Sequence, residues 1–210
     1  MRLMGLFIQE AYLPTHLCTK MGSLHRWGQP KDMAGTRQAT RGLDASRSAV
    51  EAATTIHEAV RGIARALYDE FPGIMRVSLR VLEAEGESMR VVAVWSEEPT
   101  SIDEGMVVRT STTSFPELVR KPRALIRSMA QPDLPLDNIL RREGVWAWVS
   151  VPLRKHGETC AMLSLSSGDP NEFDASDDVL FTALGAAVED RLMSLVESGN
   201  TSVRIDRKSD

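Results

Sequence analysis

Residues 144–192 constrain this chain most. They read GVWAWVSVPLRKHGETCAMLSLSSGDPNEFDASDDVLFTALGAAVEDRL, a pattern of strand, short polar turn, strand, loop and long helix. The two strands span Val145–Leu153 and Thr159–Ser167, with Arg154 to Glu158 as the Gly-containing turn of a hairpin. Alternate residues Val145, Ala147, Val149, Val151 and Leu153 form one apolar face, extended on the partner strand by Ala161, Leu163 and Leu165. A sheet with one such face must be covered, and the amphipathic helix that follows is the nearest cover.

Upstream, Val50, Ala53, Ile56, Val60, Ile63 and Leu67 recur at three- or four-residue steps, which predicts a helix over about Asp44 to Tyr68, stopped by Pro72-Gly73. Val77, Leu79 and Val81 alternate with Ser78 and Arg80, and the acidic turn Glu83 to Glu87 leads into a second strand, Arg90–Ser96. The pattern weakens between Glu97 and Gly144. Short strands are expected at Gly105–Thr110 and Ala124–Met129, and short helices at Ser114–Arg120 and Asp137–Glu143. An irregular middle section inside a regular sheet is where binding sites tend to lie.

Taken in order, a helix, a hairpin, a variable middle, Gly144, a strand ending Val151-Pro152-Leu153, a basic Gly-containing turn, an apolar strand, Asn171-x-Phe173 and a long helix resemble a GAF domain over about residues 45–197. The resemblance implies an α+β, GAF-like fold. Its central antiparallel sheet would have five or six strands, with the N- and C-terminal helices on one face and a ligand-pocket cover on the other. It also implies a sensory module of a bacterial kind. Residues 1–44 then form a flexible extension and residues 198–210 a C-terminal tail. Pro14, Gly22, Gly28, Pro30, Gly35 and Gly42 mark the extension as linker-like. Its Leu6-Phe7-Ile8 is a candidate segment for docking on a partner.

Composition narrows the function classes. The chain has 210 residues, 42% hydrophobic and 26% charged, as expected of one globular domain. A formal charge of −4 argues against nucleic acid as the main partner. The apolar run Leu3 to Leu13 is broken by Gln9 and Glu10, well short of the ~20 residues a membrane span needs. Two cysteines, Cys18 and Cys160, suit a reducing cytoplasm rather than a disulfide scaffold.

No chemical motif points to catalysis or metal binding: there is no phosphate-cradling Gly loop, no HExxH and no Cys-x-x-Cys. Asp174, Asp177 and Asp178 read as the cap and first turn of the last helix. Against the signature that the resemblance supplies for cyclic-nucleotide-binding members, Asn171, Phe173 and Asp177 match. Glu172 stands where that signature has Lys, and Asp178 where it has Glu. GAF-fold methionine sulfoxide reductases use several cysteines, and only Cys160 lies in the domain. Bilin attachment in related domains uses a cysteine in the middle section, where this chain has none.

The face opposite Val149 and Val151 is where a ligand is expected. Strand alternation puts Trp146, Trp148 and Ser150 there, with Cys160, Met162 and Ser164 on the next strand and Ser78 and Arg80 on the first. Two indole donors on an apolar floor suit a small-molecule pocket. The covering segment holds seven Lys/Arg (Arg109, Arg120, Lys121, Arg123, Arg127, Arg141, Arg142) against Glu117, Asp133 and Asp137. This predicts a positive lid and an anionic ligand with a flat aromatic part. Arg109 is the leading anion contact, supported by the Thr110-Ser111 hydroxyls. The candidate ligand contacts are Arg80, Trp95, Arg109, Thr110, Ser111, Trp146, Trp148, Ser150 and Met162.

The expected function is a non-catalytic cytoplasmic sensor with no identified cofactor. The alternatives are a ligand-free dimerisation module and a sulfoxide reductase. The last helix carries more apolar positions, among them Val179, Leu180, Ala183, Ala187, Leu195 and Val196, than one sheet-facing stripe requires. A homodimer through the first and last helices is therefore expected.

Overall fold

The computed structural model describes residues 33–128 and 134–206. Helix α1 spans Met33–Ala52 and α2 Ile56–Leu67; strands β1 (Ile74–Leu82), β2 (Ser88–Ser96) and β3 (Val107–Arg109) follow. The middle section supplies α3 (Phe115–Arg120), β4 (Leu125–Ser128) and α4 (Pro135–Arg142). The chain then forms β5 (Ala147–Lys155), β6 (Glu158–Ser167) and α5 (Asp178–Asp206). Every neighbouring pair in the six-stranded sheet is antiparallel, in the order β3-β2-β1-β6-β5-β4. This is the α+β sheet expected from the sequence.

The first helix is two helices. Thr55 ends the predicted continuity because its hydroxyl accepts the Glu58 N–H while the Glu58 carboxylate accepts the Thr55 N–H, a capping box that starts α2 afresh. Both residues are visible in the sequence, and the apolar stripe running through them masks the signal. Upstream, α1 begins eleven residues before Asp44, in a stretch whose Gly35 and Gly42 read as linker; each costs a helix only about 1 kcal/mol. Gly42 earns its place by proximity, since a Cβ there would meet Leu67 of α2 at 3.3 Å. Residues 1–32, including the Leu6-Phe7-Ile8 segment and Cys18, lie outside the described residues. The tail expected from 198 continues as α5 to Asp206.

α2 and α5 lie on the sheet, and α1 packs across both. Between them sits the main core, where Val149, Val151, Leu163 and Leu165 meet Ile63, Leu67, Phe181, Leu184 and Val188. Gly185 lets α5 approach β5, because a Cβ there would stand 2.7 Å from Val151 Cγ1. The β5–β6 hairpin turns on two residues, His156 (φ 54°) and Gly157 (φ 86°), the paired left-handed geometry whose twist suits a tight hairpin.

The opposite face is covered by a second apolar layer, with Val91, Ile102, Leu136, Leu140, Val145 and Trp148 in one cluster. Met89, Val108, Phe115, Leu118 and Met162 form another. Two alternation expectations change here. Val145 belongs to this layer and not to the helix-side core, since β5 begins only at Ala147 and the chain before it turns at Gly144 (φ 79°). Cys160 falls at the register shift between Leu153 and Arg154, so it packs on the helix-side core rather than beside Met162.

Candidate functional site

Three rows of residues cross the central strands on the covered face. Register aligns Trp148 with Ser166 and Ser166 with Arg76. It aligns Ser150 with Ser164 and Ser164 with Ser78, and Pro152 with Met162 and Met162 with Arg80. These short hydroxyl side chains in the middle row leave a depression between the larger groups on either side. α4 and the turn before α3 close over it, and a small cavity remains between sheet and cover. Arg80, Trp148, Ser150, Ser164 and Ser166 line its floor; Thr113, Ser114, Leu134, Leu136, Asp137 and Leu140 line its roof. The space in which the centre of a water molecule can move is about 20 Å³.

Burial gives the cavity its character. Arg80 is 4% exposed, and among the described residues it forms no ion pair and its Nε meets no hydrogen-bond acceptor. Desolvation, and then the like charge of Arg76, pull its pKa down to about 10, so the guanidinium stays charged at neutral pH. Trp148 Nε1 and Ser164 Oγ, on residues 5% and 6% exposed, are likewise unpartnered. The Ser114 hydroxyl donates to Ser150 Oγ at 2.9 Å and lies 3.6 Å from Met162 Sδ. Asp137 faces the same space while its Oδ2 accepts the Leu134 N–H at 2.9 Å, capping α4. The cavity therefore brings together a buried cation, unpartnered donors and the carboxylate that caps α4.

α4 is anchored over the cavity by a second arginine. Glu143, just after the helix, accepts from Arg76 Nη1 at 2.6 Å and from the Thr100 hydroxyl at 3.0 Å, as well as from the backbone and hydroxyl of Ser101. Arg76 also donates to Thr100. Burial raises the Glu143 pKa, but these donors outweigh it and hold the carboxyl at about 2.

The structure gathers Arg80, Trp148 and Ser150 at the cavity, with Met162 beside it. The other expected residues are elsewhere. Trp95 pairs with Val77 and packs on the helix-side core, the face away from the cavity. Trp146 precedes β5, is 38% exposed, and stacks under the Arg141 guanidinium at 5.1 Å. Arg109 ends the exposed edge strand, Ser111 is exposed, and the Thr110 hydroxyl donates to the Glu87 carbonyl at 3.0 Å.

The positive lid does not assemble. Arg127 pairs with Glu117 at 2.8 Å over the Trp148 ring, and Arg123 is 3.8 Å from Asp178, while Arg120, Lys121 and Arg142 are exposed. Positive charge reaches the cavity from the sheet floor instead. Ser166, Thr113, Ser114 and Asp137, with Leu134, Leu136 and Leu140, are lining residues that sequence reasoning did not single out as ligand contacts. Continued strand alternation could have found Ser166; the others depend on how the cover folds down.

Phe173 and Asp177 of the nucleotide-binding signature have other work. Phe173 joins Phe71 and Phe181 in the helix-side core, and the Asp177 carboxylate accepts the Asp174 N–H ahead of α5. No group of three or more metal-ligating side chains occurs among the described residues.

Comparison with known proteins is consistent with this architecture. A family model described as the GAF domain matches residues 51–192. No curated protein matches the chain. Among solved structures, the GAF domain of a two-component sensor histidine kinase from Bacillus halodurans is similar with a TM-score of 0.54 at 13% identity, over 67% of this chain and 95% of that one. The GAF domain of an Acinetobacter phosphoenolpyruvate-protein phosphotransferase gives 0.58 at 12% identity, over 77% and 97%. A free methionine-R-sulfoxide reductase from Neisseria meningitidis, solved with its substrate, gives 0.60 at 17%, over 85% and 99%. At such identities the likeness is one of fold alone.

Proposed function

This chain belongs to the GAF domain family, and on that premise we propose that it is a non-catalytic sensory or regulatory module that takes a small anionic ligand in the cavity beneath α4. One observation carries the reading: Arg80 is a buried cation lining a cavity without an ion-pair partner among the described residues. An unpaired buried charge is costly to keep, and an anion that binds there recovers part of that cost. A space of about 20 Å³ for the centre of a water molecule supports the anionic part of the expected ligand rather than its aromatic part.

The reading as a sensor rather than a reductase is supported by Cys160. Its thiol packs toward the helix-side core and donates to the Leu153 carbonyl, and burial raises its pKa, which lowers its reactivity. We place the module in the cytoplasm; no described helix is long and apolar enough to cross a membrane. A homodimer through α1 and α5 is part of the same proposal. It is supported by Val179, 73% exposed at the start of α5, and by exposed Ala45, Ala52 and Ala186 on the two helices.

The ligand site is tested by thermal unfolding of the parent and Arg80→Met proteins against sodium salts of carboxylates, phosphates and inorganic oxyanions. A bound anion at hundredfold excess over its Kd stabilises the parent by about 2.7 kcal/mol, and Arg80→Met is expected to lose that gain. Equal stabilisation of both proteins, or of neither, would place the ligand elsewhere.

A further inference from the structure

Resting on the reading that this cavity holds the ligand, we infer that its occupant is a small oxyanion of nitrate or formate size, held by Arg80, Trp148 and Ser164. The unpartnered atoms specify the chemistry. Arg80 Nε and Trp148 Nε1 can only donate, and Ser164 Oγ is free to donate. An occupant must therefore present acceptors. Other polar groups of the lining already have partners: Ser114 donates to Ser150, the Thr113 hydroxyl donates to the Thr110 carbonyl and accepts the Phe115 N–H, and the Asp137 carboxylate accepts the Leu134 N–H.

Charge then separates an anion from a neutral acceptor. A water molecule would satisfy one or two donors and leave the Arg80 charge unbalanced, whereas an oxyanion neutralises it through charge-assisted hydrogen bonds. Size sets the upper limit. One water needs roughly 10–15 Å³ of such space, so about 20 Å³ admits a few heavy atoms and excludes a benzene ring. The anchoring of α4 by Arg76 and Glu143 holds the roof down and keeps that limit in force.

The test uses the full 210-residue chain, titrated with sodium nitrate, sodium formate, sodium benzoate and glycine and followed by calorimetry and by the indole N–H signals in ¹H–¹⁵N spectra. Nitrate and formate are expected to saturate and to shift one indole signal, the one missing from Trp148→Phe. Removing a single donor to an anion weakens binding roughly tenfold, so Trp148→Phe and Ser164→Ala should each do so for nitrate. Asp137→Asn keeps an oxygen for the Leu134 N–H while removing a negative charge from the wall, and is expected to tighten nitrate. Benzoate binding as tightly as nitrate, or glycine binding that Asp137→Asn weakens, would overturn the small-oxyanion assignment and leave the Arg80 site standing. If no probe titrates, or if Arg80→Met binds nitrate like the parent, the site reading falls together with this one.

Discussion

Arg76 on β1 and Glu143 at the end of α4 meet at 2.6 Å between Nη1 and Oε2, joining the middle of the sheet to the element that roofs the cavity. Arg76 is 3% exposed, so its charge depends on that carboxylate. Glu143→Gln keeps an acceptor oxygen and removes the charge. It is expected to cost about 2–3 kcal/mol in urea unfolding at neutral pH.

The same carboxyl sets an acid limit. Its folded pKa is depressed from 4.5 to about 2, so its contribution is fully present above the unfolded value and is lost as pH falls through that window. The parent should lose stability between those two pH values more steeply than Glu143→Gln. Parallel curves for the two proteins would show that Glu143 is not the group responsible.

Arg80 is expected to behave in the opposite way. In the absence of added anion, Arg80→Met removes the desolvation penalty of a buried unpaired charge and leaves no partner charge uncompensated. The midpoint of thermal unfolding should therefore stay or rise while anion binding disappears. A large loss of stability would mean that Arg80 has a structural partner, and would count against the ligand site.

Gly185 is a packing requirement. A Cβ there meets Val151 Cγ1 at 2.7 Å and the Pro152 carbonyl oxygen at 3.0 Å, both on a buried strand with little freedom to move. Gly185→Ala gains helix propensity yet is expected to destabilise by about 1–3 kcal/mol through overpacking, read from the urea midpoint.

Phe181 stands 5.2 Å from Phe71 and 5.6 Å from Phe173, ring centre to ring centre, and all three are buried. Phe181→Ala is expected to cost about 3–5 kcal/mol. Because this cluster lies on the helix side of the sheet, nitrate affinity of the folded variant should be close to that of the parent.

The homodimer predicts a light-scattering mass twice the 23.2 kDa of the chain at micromolar concentration. Val179→Lys should shift the mass toward the monomer. Much of the apolar surplus that suggested a dimer is used within the chain, where Leu195 and Val196 are buried and Leu180 and Ala187 pack on the core. A monomeric parent would mean that internal packing accounts for the whole surplus.

The elements were legible because their signals are local and periodic. Alternation along Val149, Val151 and Leu153 and helical spacing through Val60, Ile63 and Leu67 each require one burial side, whatever the rest of the chain does. The capping box at Thr55 and Glu58 was equally local, and was hidden only by a stripe that continues across the break. Errors gathered where alternation depends on where a strand begins or bulges. Val145 and Trp146 lie just outside β5, and Cys160 sits at a register shift, so period two no longer assigns their faces.

The sequence by itself determined the sheet, the helices that cover it, and which face of the central hairpin carries Trp148, Ser150 and Met162. Whether the charged segment after β3 would cover that face with its arginines was decided only by the tertiary structure. Long exposed side chains gain more by staying hydrated or pairing locally, as Arg127 does with Glu117, than by entering a cavity. Arg80 has no such choice. Its strand is central, its neighbours Ser78 and Met162 are buried, and closure of α4 above it removes water from a guanidinium fixed to the sheet. A residue's place in the chain cannot report that, because the desolvation comes from α4, more than fifty residues downstream in the sequence.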